Sequence, residues 1–256
     1  MGVVEGITEF LPVSSTGHLI LAGAFLDYPE AQRVTVEIVI QAGAILAVFW
    51  QYGTELVGLA RRVPREGSAR DLVLKVLLAF LPAATAGFLF HHAIEERLFS
   101  PRSVAAALIA GGLVIILVER RRPAPDVDRI EGTTWRDALG VGLAQVTSLF
   151  PGVSRSGATI IGGLLMGLSR PVATQFSFYL ALPTVSAASL FGLVKGFHLL
   201  GAADVLPLVV GFVAAFASAL VVIRSFLHYV RGHDMSVFGY YRIALGVLVY
   251  VLIGRG

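Results

Sequence analysis

Six apolar stretches, each close to the length needed to cross a bilayer, dominate this sequence: approximately 34–52, 70–90, 101–119, 173–195, 205–228 and 237–254. A helix needs roughly 20 mainly apolar residues to span the hydrocarbon. In oil every backbone N–H and C=O must be satisfied within the protein, so such stretches become helices. Composition agrees: of 256 residues, 56% are hydrophobic and 14% charged, where a soluble domain carries about a quarter charged. A globule of this size cannot hide that much apolar surface from water. The lack of cysteine excludes a secreted disulfide scaffold, and the continuous apolar runs exclude disorder. The net charge of +3 is carried by arginines in a few short segments, which reflects membrane topology and not nucleic-acid binding.

Two further apolar regions are interrupted. Residues 2–26 hold two short runs, Gly2 to Leu11 and Gly17 to Leu26, around Leu11-Pro12-Val13-Ser14-Ser15-Thr16. Residues 137–169 do the same around Phe150-Pro151-Gly152-Val153-Ser154-Arg155-Ser156. Neither half of either region spans alone, and the proline and hydroxyl residues at each break predict re-entrant helical hairpins. The expected fold is therefore all-α: a polytopic membrane protein with six transmembrane helices and two re-entrant hairpins. Arg61, Arg62, Arg65 and Arg70 enrich one connection, and Arg120, Arg121, Arg122, Arg129 and Arg136 another. These segments are expected in the cytoplasm, which places both termini outside. Trp50 with Tyr52, and Tyr240 with Tyr241, read as interfacial aromatics. The first run lacks a basic leader and a small-residue cleavage site, so no cleaved signal is expected.

A shift of 140 positions aligns the two interrupted regions without gaps. Gly2 meets Gly142, Glu5 meets Gln145, Phe10 meets Phe150, Ser14 meets Ser154, Thr16 meets Ser156 and Gly17 meets Gly157. One membrane domain built from two repeats, about 1–119 and 136–256 around a cytoplasmic loop at 120–135, is expected. Three crossings separate the hairpins, an odd number, so the repeats should be inverted, with the site where they meet.

Chemistry concentrates at the two breaks. Glu5 and Glu9 are four apart on one face of the first half-helix. Two carboxylates at membrane depth need Arg155, a divalent metal, a basic group on the substrate or a shared proton beside them; otherwise they are wetted at the surface. Ser14, Ser15 and Thr16 cap the next half-helix, whose N-terminus attracts anions. Either Ser14 or Ser15 lies within helical reach of His18, the spacing of an activated nucleophile and its base; the alternative is that the serines only cap and His18 only packs. In the second break, Arg155 suits a phosphate, with Ser154, Ser156 and Thr159 as hydroxyl donors; its alternative is an ion pair with Glu5 or Glu9. The set fits phosphoryl hydrolysis. Gln41 and Gly43 either face the site or, the favoured reading, allow helix packing; Pro183 and Thr184 read as a kink near which substrate could pass; Asp126 and Asp128 resemble a metal-binding pair but read as solvated; and His91, His92, His228 and His233 read as interfacial.

The run Glu5-Gly6-Ile7-Thr8-Glu9-Phe10-Leu11-Pro12-Val13-Ser14-Ser15-Thr16-Gly17-His18 and the run Pro151-Gly152-Val153-Ser154-Arg155-Ser156-Gly157-Ala158-Thr159 resemble the two signatures of the undecaprenyl-diphosphatase family, the bacitracin-resistance type of polyprenyl-diphosphate phosphatase. The similarity continues through Thr134 to Leu139 and Phe176-Ser177-Phe178, and ends with Tyr241-Arg242. Departures fall at Pro171 and Gln175, past the second signature. The resemblance implies a plasma-membrane hydrolase with its site on the outer side. It would turn undecaprenyl diphosphate into the monophosphate carrier lipid of cell-wall synthesis. It carries essential roles onto Glu5, Glu9, His18 and Arg155, and implies a divalent cation, Mg²⁺ or Ca²⁺, at Glu5 and Glu9. Membrane lipid is the expected surrounding partner; the sequence leaves oligomeric state open, a homodimer included. A lipid transporter or flippase is the rival class, since inverted repeats and broken helices also build carriers. An intramembrane serine protease would use Ser15 and His18 but leave Glu5, Glu9 and Arg155 without a role.

Overall fold

A computed structural model describes residues 1–26, 30–98, 100–122, 124–196 and 204–253. Their secondary structure is helical apart from turns, loops and one isolated bridge between Val127 and Leu168. In chain order the α-helices are α1 (Gly2–Thr8), α2 (Ser15–Phe25), α3 (Glu30–Gln51), α4 (Gly53–Arg62), α5 (Gly67–Leu98), α6 (Pro101–Arg121), α7 (Trp135–Val146), α8 (Arg155–Leu165), α9 (Arg170–Gly196), α10 (Val205–Tyr229) and α11 (Ser236–Leu252). The chain is an all-α polytopic membrane protein. Helices α5, α6, α9 and α10 are each long and apolar enough to cross a membrane by themselves. Their outward residues are apolar, as on α10, where Leu206, Val210, Val213 and Val221 are exposed. Surface of this kind belongs against lipid tails.

Two of the six expected crossings differ in detail. The first is broken: α3 and α4 meet at 67°. The arginine-rich connection at 53–70 is therefore mostly helix, turned off the span, with Arg61 and Arg62 exposed on α4. Tyr52, at the bend, is not an interfacial aromatic. It is 4% exposed and packs edge-on against Phe178 and Tyr179, whereas Trp50 is 68% exposed. The last crossing, α11, has 17 residues, about 26 Å of helix at 1.5 Å per residue. It compensates by packing along α6, where Gly112 and Gly239 bring the two backbones together: a Cβ at Gly112 would sit 2.6 Å from the Gly239 carbonyl oxygen.

Each break lies between two short helices, as expected. Helices α1, α2, α7 and α8 have 7, 11, 12 and 11 residues, each too short to span. Thr134 and Asp137 close a capping box at the start of α7, which satisfies two otherwise unpaired backbone donors. The two halves of the chain pack alike. Helix α1 lies on α10 and α7 on α5, while α6 meets α11 and α3 meets α9. Gly2 and Gly142, 140 positions apart, are each at the tight point of their contact, against the backbone of Gly211 on α10 and of Ala79 on α5. The close of α6 is tied to the starts of α9 and α11: Glu119 accepts from Arg170 Nε and Nη2 at 2.9 and 2.6 Å and from the Met235 N–H at 2.9 Å, while the loop between α6 and α7 bridges at Val127 to Leu168. Asp126 and Asp128 in that loop are exposed, as are His228 and His233; the side chains of His91 and His92 lie outside the described residues.

Candidate active site

Each hairpin turns through a serine with an unusual backbone. Ser14 has φ 69° and Ser154 has φ 74°, and they are the non-glycine residues with positive φ among those described. An L-residue held there stores on the order of 1–3 kcal/mol of strain, which persists only where the surroundings enforce it. The same strain recurs at the aligned position of both halves, directly before α2 and α8. It swings each helix start toward the other loop. Ser154 caps α8, its Oγ accepting from the Gly157 N–H at 3.1 Å. Ser14 makes no such cap on α2, so the first turn of α2 keeps backbone donors available to an anion.

Between the loops lies a polar cavity of about 190 Å³, lined by Glu9, Ser14, Ser15, Thr16, Ser148, Gly152, Ser154 and Arg155, with Gln41 from α3 and Thr184 from α9. Within it, Ser15 Oγ donates to Glu9 Oε2 at 2.8 Å, and Arg155 Nη2 donates to Glu9 Oε1 at 3.3 Å. One carboxylate thus joins a hydroxyl from the first break to a guanidinium from the second. Arg155 is further placed by the Ser177 carbonyl at 3.3 Å and by the Phe10 ring, 5.8 Å from its centroid. Its Nε is buried without a partner, an unmet donor of the kind that marks a functional group.

The structure separates the other expected site residues from this cavity. His18 does not meet either serine hydroxyl. Its Nδ1 is 2.8 Å from the Ser14 carbonyl oxygen, so Nδ1 carries the proton and donates, and Nε2 accepts from Tyr241 Oη at 2.6 Å. The imidazole also stacks on Tyr241 at 5.6 Å. The helical i, i+4 spacing that brings His18 to residue 14 delivers its ring to the backbone carbonyl there, not to the side chain. Ser156 and Thr159 are fully buried behind the site. Ser156 Oγ donates to the Leu11 carbonyl at 2.7 Å, a direct link from α8 to the first loop. Thr159 Oγ1 pairs with Ser177 Oγ at 2.6 Å. Glu5 is 1% exposed, with Oε2 unpaired. It lies under the charges of Glu9, Glu37 and Arg155.

Three further contributors emerge, of which only Arg242 had no role in the sequence reading. Gln41, expected to pack, lines the cavity, while its neighbour Gly43 does pack, tight against the Phe212 carbonyl. Thr184 also lines it, with Oγ1 shared between the Leu180 carbonyl at 2.7 Å and Gln145 Oε1 at 3.3 Å. Arg242 is 1% exposed and donates one bond from each N–H to a carbonyl: Leu108, Pro12, Val153, Ala107 and Gly152. A charge inside the apolar run 237–254 was the available signal, because ionisable groups at that depth are functional by default.

Comparison with known proteins accords with this geometry. The family model described as bacitracin resistance protein BacA matches residues 1–248. Undecaprenyl-diphosphatase 2 of Rhodospirillum rubrum is 52% identical over 250 residues, 97% of this chain and 91% of the relative. Undecaprenyl-diphosphatase of Methylococcus capsulatus is 50% identical over 97% of this chain and 91% of its own length. A Shewanella oneidensis relative, undecaprenyl-diphosphatase 2, is 44% identical over 98% and 95%. With a match across nearly its whole length, the chain belongs to the bacitracin resistance protein BacA family.

Proposed function

We propose that this protein hydrolyses undecaprenyl diphosphate to undecaprenyl phosphate and inorganic phosphate, recycling the cell-wall carrier lipid and thereby conferring resistance to bacitracin. The observation that carries the reading is the chain Ser15–Glu9–Arg155 inside a polar cavity between two apolar hairpins. A hydroxyl 2.8 Å from a carboxylate has the reach of a nucleophile and its general base. Arg155, the α2 N-terminus, Ser14, Thr16 and Ser154 are donors for the phosphate oxygens.

The chemistry follows from those positions. As Ser15 Oγ attacks the terminal phosphorus, its proton passes to Glu9 Oε2. The bond from phosphorus to the bridging oxygen breaks, and undecaprenyl phosphate leaves with the electron pair and takes the proton from Glu9. Glu9 then accepts a proton from a water whose oxygen attacks the phosphoserine, and Ser15 Oγ leaves and is reprotonated. Arg155 stabilises the charge that develops on the equatorial oxygens. His18, with Nδ1–H on the Ser14 carbonyl, orients the loop and takes no proton from Ser15 in this scheme. Ser156 and Thr159 hold α8 in place rather than contacting phosphate.

A divalent cation, Mg²⁺ or Ca²⁺, fits Glu5 and Glu9. Glu5 presents a buried, unpaired Oε2 with two further carboxylates nearby. Among the described residues no three His, Cys, Asp or Glu side chains form a metal cage, and Mg²⁺ is commonly held by one or two carboxylates together with substrate phosphates. Bound there, the cation would neutralise diphosphate charge. The arginine-rich segments read as cytoplasmic, which supports a bacterial plasma-membrane protein with its site facing the outer side.

Phosphate release by the full chain in detergent tests the reading. One phosphate per undecaprenyl diphosphate is expected, suppressed by chelator, and Glu9→Gln or Arg155→Ala should lower kcat by about 10²–10⁴-fold. A micelle has no two sides, so a protein that bound the lipid without releasing phosphate would be a carrier instead.

A further inference from the structure

Arg242 is buried in the apolar helix α11, yet none of its five hydrogen bonds goes to a carboxylate. Two go to α6, at Leu108 and Ala107, 3.4 and 3.2 Å away. Two go to the second loop, at Val153 and Gly152, 2.7 and 3.0 Å away. The fifth, at 3.4 Å, reaches Pro12 in the first loop. Thus every N–H of the guanidinium is used, and one planar group ties both breaks to the α6–α11 pair. The Val153 carbonyl belongs to the peptide unit that enters Ser154, whose φ is 74°, and the Pro12 carbonyl lies two residues before Ser14, whose φ is 69°.

The surroundings are cut to admit this group. A methyl at Gly111 on α6 would overlap Arg242 Nη2, and one at Gly157 on α8 would sit 3.1 Å from Nη1. Ala107 and Leu108 keep their helical bonds within α6, but the loop carbonyls of Pro12, Gly152 and Val153 would lose this donor, and leaving them unpaired at this depth is costly. We propose that Arg242 is a positioning residue for the hydrolysis: by locking the register between the two loops it holds Ser15 against Glu9 while Glu9 meets Arg155. This inference rests on the reaction proposed above. It touches none of the reacting atoms directly.

The guanidinium also forms part of the wall of an apolar groove of about 760 Å³ between α6, α7 and α8, lined further by Ala110, Gly111, Gly157 and Ala158. Removing the side chain joins the space it vacates to that groove, which allows a test by chemical rescue with added guanidinium. The full chain in detergent is assayed for phosphate release as wild type, Arg242→Ala, Gly111→Ala, Ser15→Ala and the Ser15→Ala/Arg242→Ala double variant. Monodispersity and thermal melting are followed for each. A wild type without phosphatase activity would refute the reaction itself, separately from the role of Arg242. Given an active wild type, Arg242→Ala should lose about 10²-fold in kcat, the scale of a 1 Å misplacement. Added guanidinium should restore activity at least about tenfold, and the double variant should be no slower than Ser15→Ala, the non-additivity expected of groups that act as a unit. Gly111→Ala keeps the arginine but displaces its head, so it should lose kcat in parallel; it keeps the proposal testable if Arg242→Ala does not fold. A folded Gly111→Ala or Arg242→Ala at wild-type kcat would overturn the proposal, as would a loss of activity that guanidinium does not rescue and that adds fully to that of Ser15→Ala.

Discussion

Glu9 is the residue on which both halves of the chain converge, one oxygen on Ser15 and the other on Arg155. The sequence showed Glu9, Ser15 and Arg155 as candidates and offered an ion pair of Arg155 with Glu5 or Glu9 as an alternative, but not the bond from Ser15 to Glu9. Ser15 and Glu9 are six apart across a turn that ends in a positive-φ serine, and helical spacing cannot describe such a path. The i, i+4 rule suggested His18 as the partner of a serine because it assumes side chain meets side chain. Here the ring instead reaches the backbone carbonyl of Ser14. His18 is thereby held twice, by Ser14 and by Tyr241. Tyr241→Phe removes one hold and keeps the stack, so kcat should fall by less than about tenfold. His18→Ala removes both and should cost distinctly more, close to the 10²-fold of a displaced loop. Phosphate-release kinetics on the two variants check the order; a loss of about 10⁴-fold in His18→Ala, the upper range for a general base, would show that the imidazole does chemistry itself.

At the scale of elements, the breaks were legible because each sets a proline and clustered hydroxyls between two apolar runs too short to span. Their packing partners were less so, since an apolar helix advertises no preferred neighbour in lipid. Glycines decide it instead. Gly6 on α1 lies directly against the Ala215 carbonyl and Ser218 of α10, so Gly6→Val must push α1, and Glu5 and Glu9 with it, off its support. Overpacking of this kind costs about 1–3 kcal/mol or more. Its melting temperature in detergent should fall clearly below wild type, with activity falling too. Gly58 on α4 has no atom within 4 Å of its would-be side chain, so Gly58→Ala should leave melting and activity unchanged or slightly raise stability through helix propensity. A melting curve for Gly6→Val that overlays the wild type would contradict the α1–α10 contact. The bend between α3 and α4 was not legible either: nothing in 53–70 distinguishes a polar loop from a helix turned by 67°, and Tyr52 was read by residue type when its burial against Phe178 and Tyr179 follows from that bend.

For the whole molecule, the all-α polytopic fold could be read from hydropathy because the bilayer prescribes both helix length and backbone pairing. The likeness of the halves was readable from the 140-residue offset, and it recurs in the matched strain at Ser14 and Ser154. Long-range coupling was not: Arg242 bonds carbonyls up to 230 positions away, and no local pattern encodes such partners. Orientation is open to a clean test because the chain has no cysteine. Single cysteines at Gly67 and Arg129, in the arginine-rich segments, should resist a membrane-impermeant thiol reagent added to intact cells and react after permeabilisation. Labelling of either in intact cells would invert the assignment of sides.

The most direct measurement is phosphate release from undecaprenyl diphosphate by Ser15→Ala, purified as the full chain beside wild type. The account predicts that the variant stays folded and still binds the lipid, while its kcat falls by at least about 10³-fold because the nucleophile is gone. A folded Ser15→Ala that releases phosphate at the wild-type rate would contradict it.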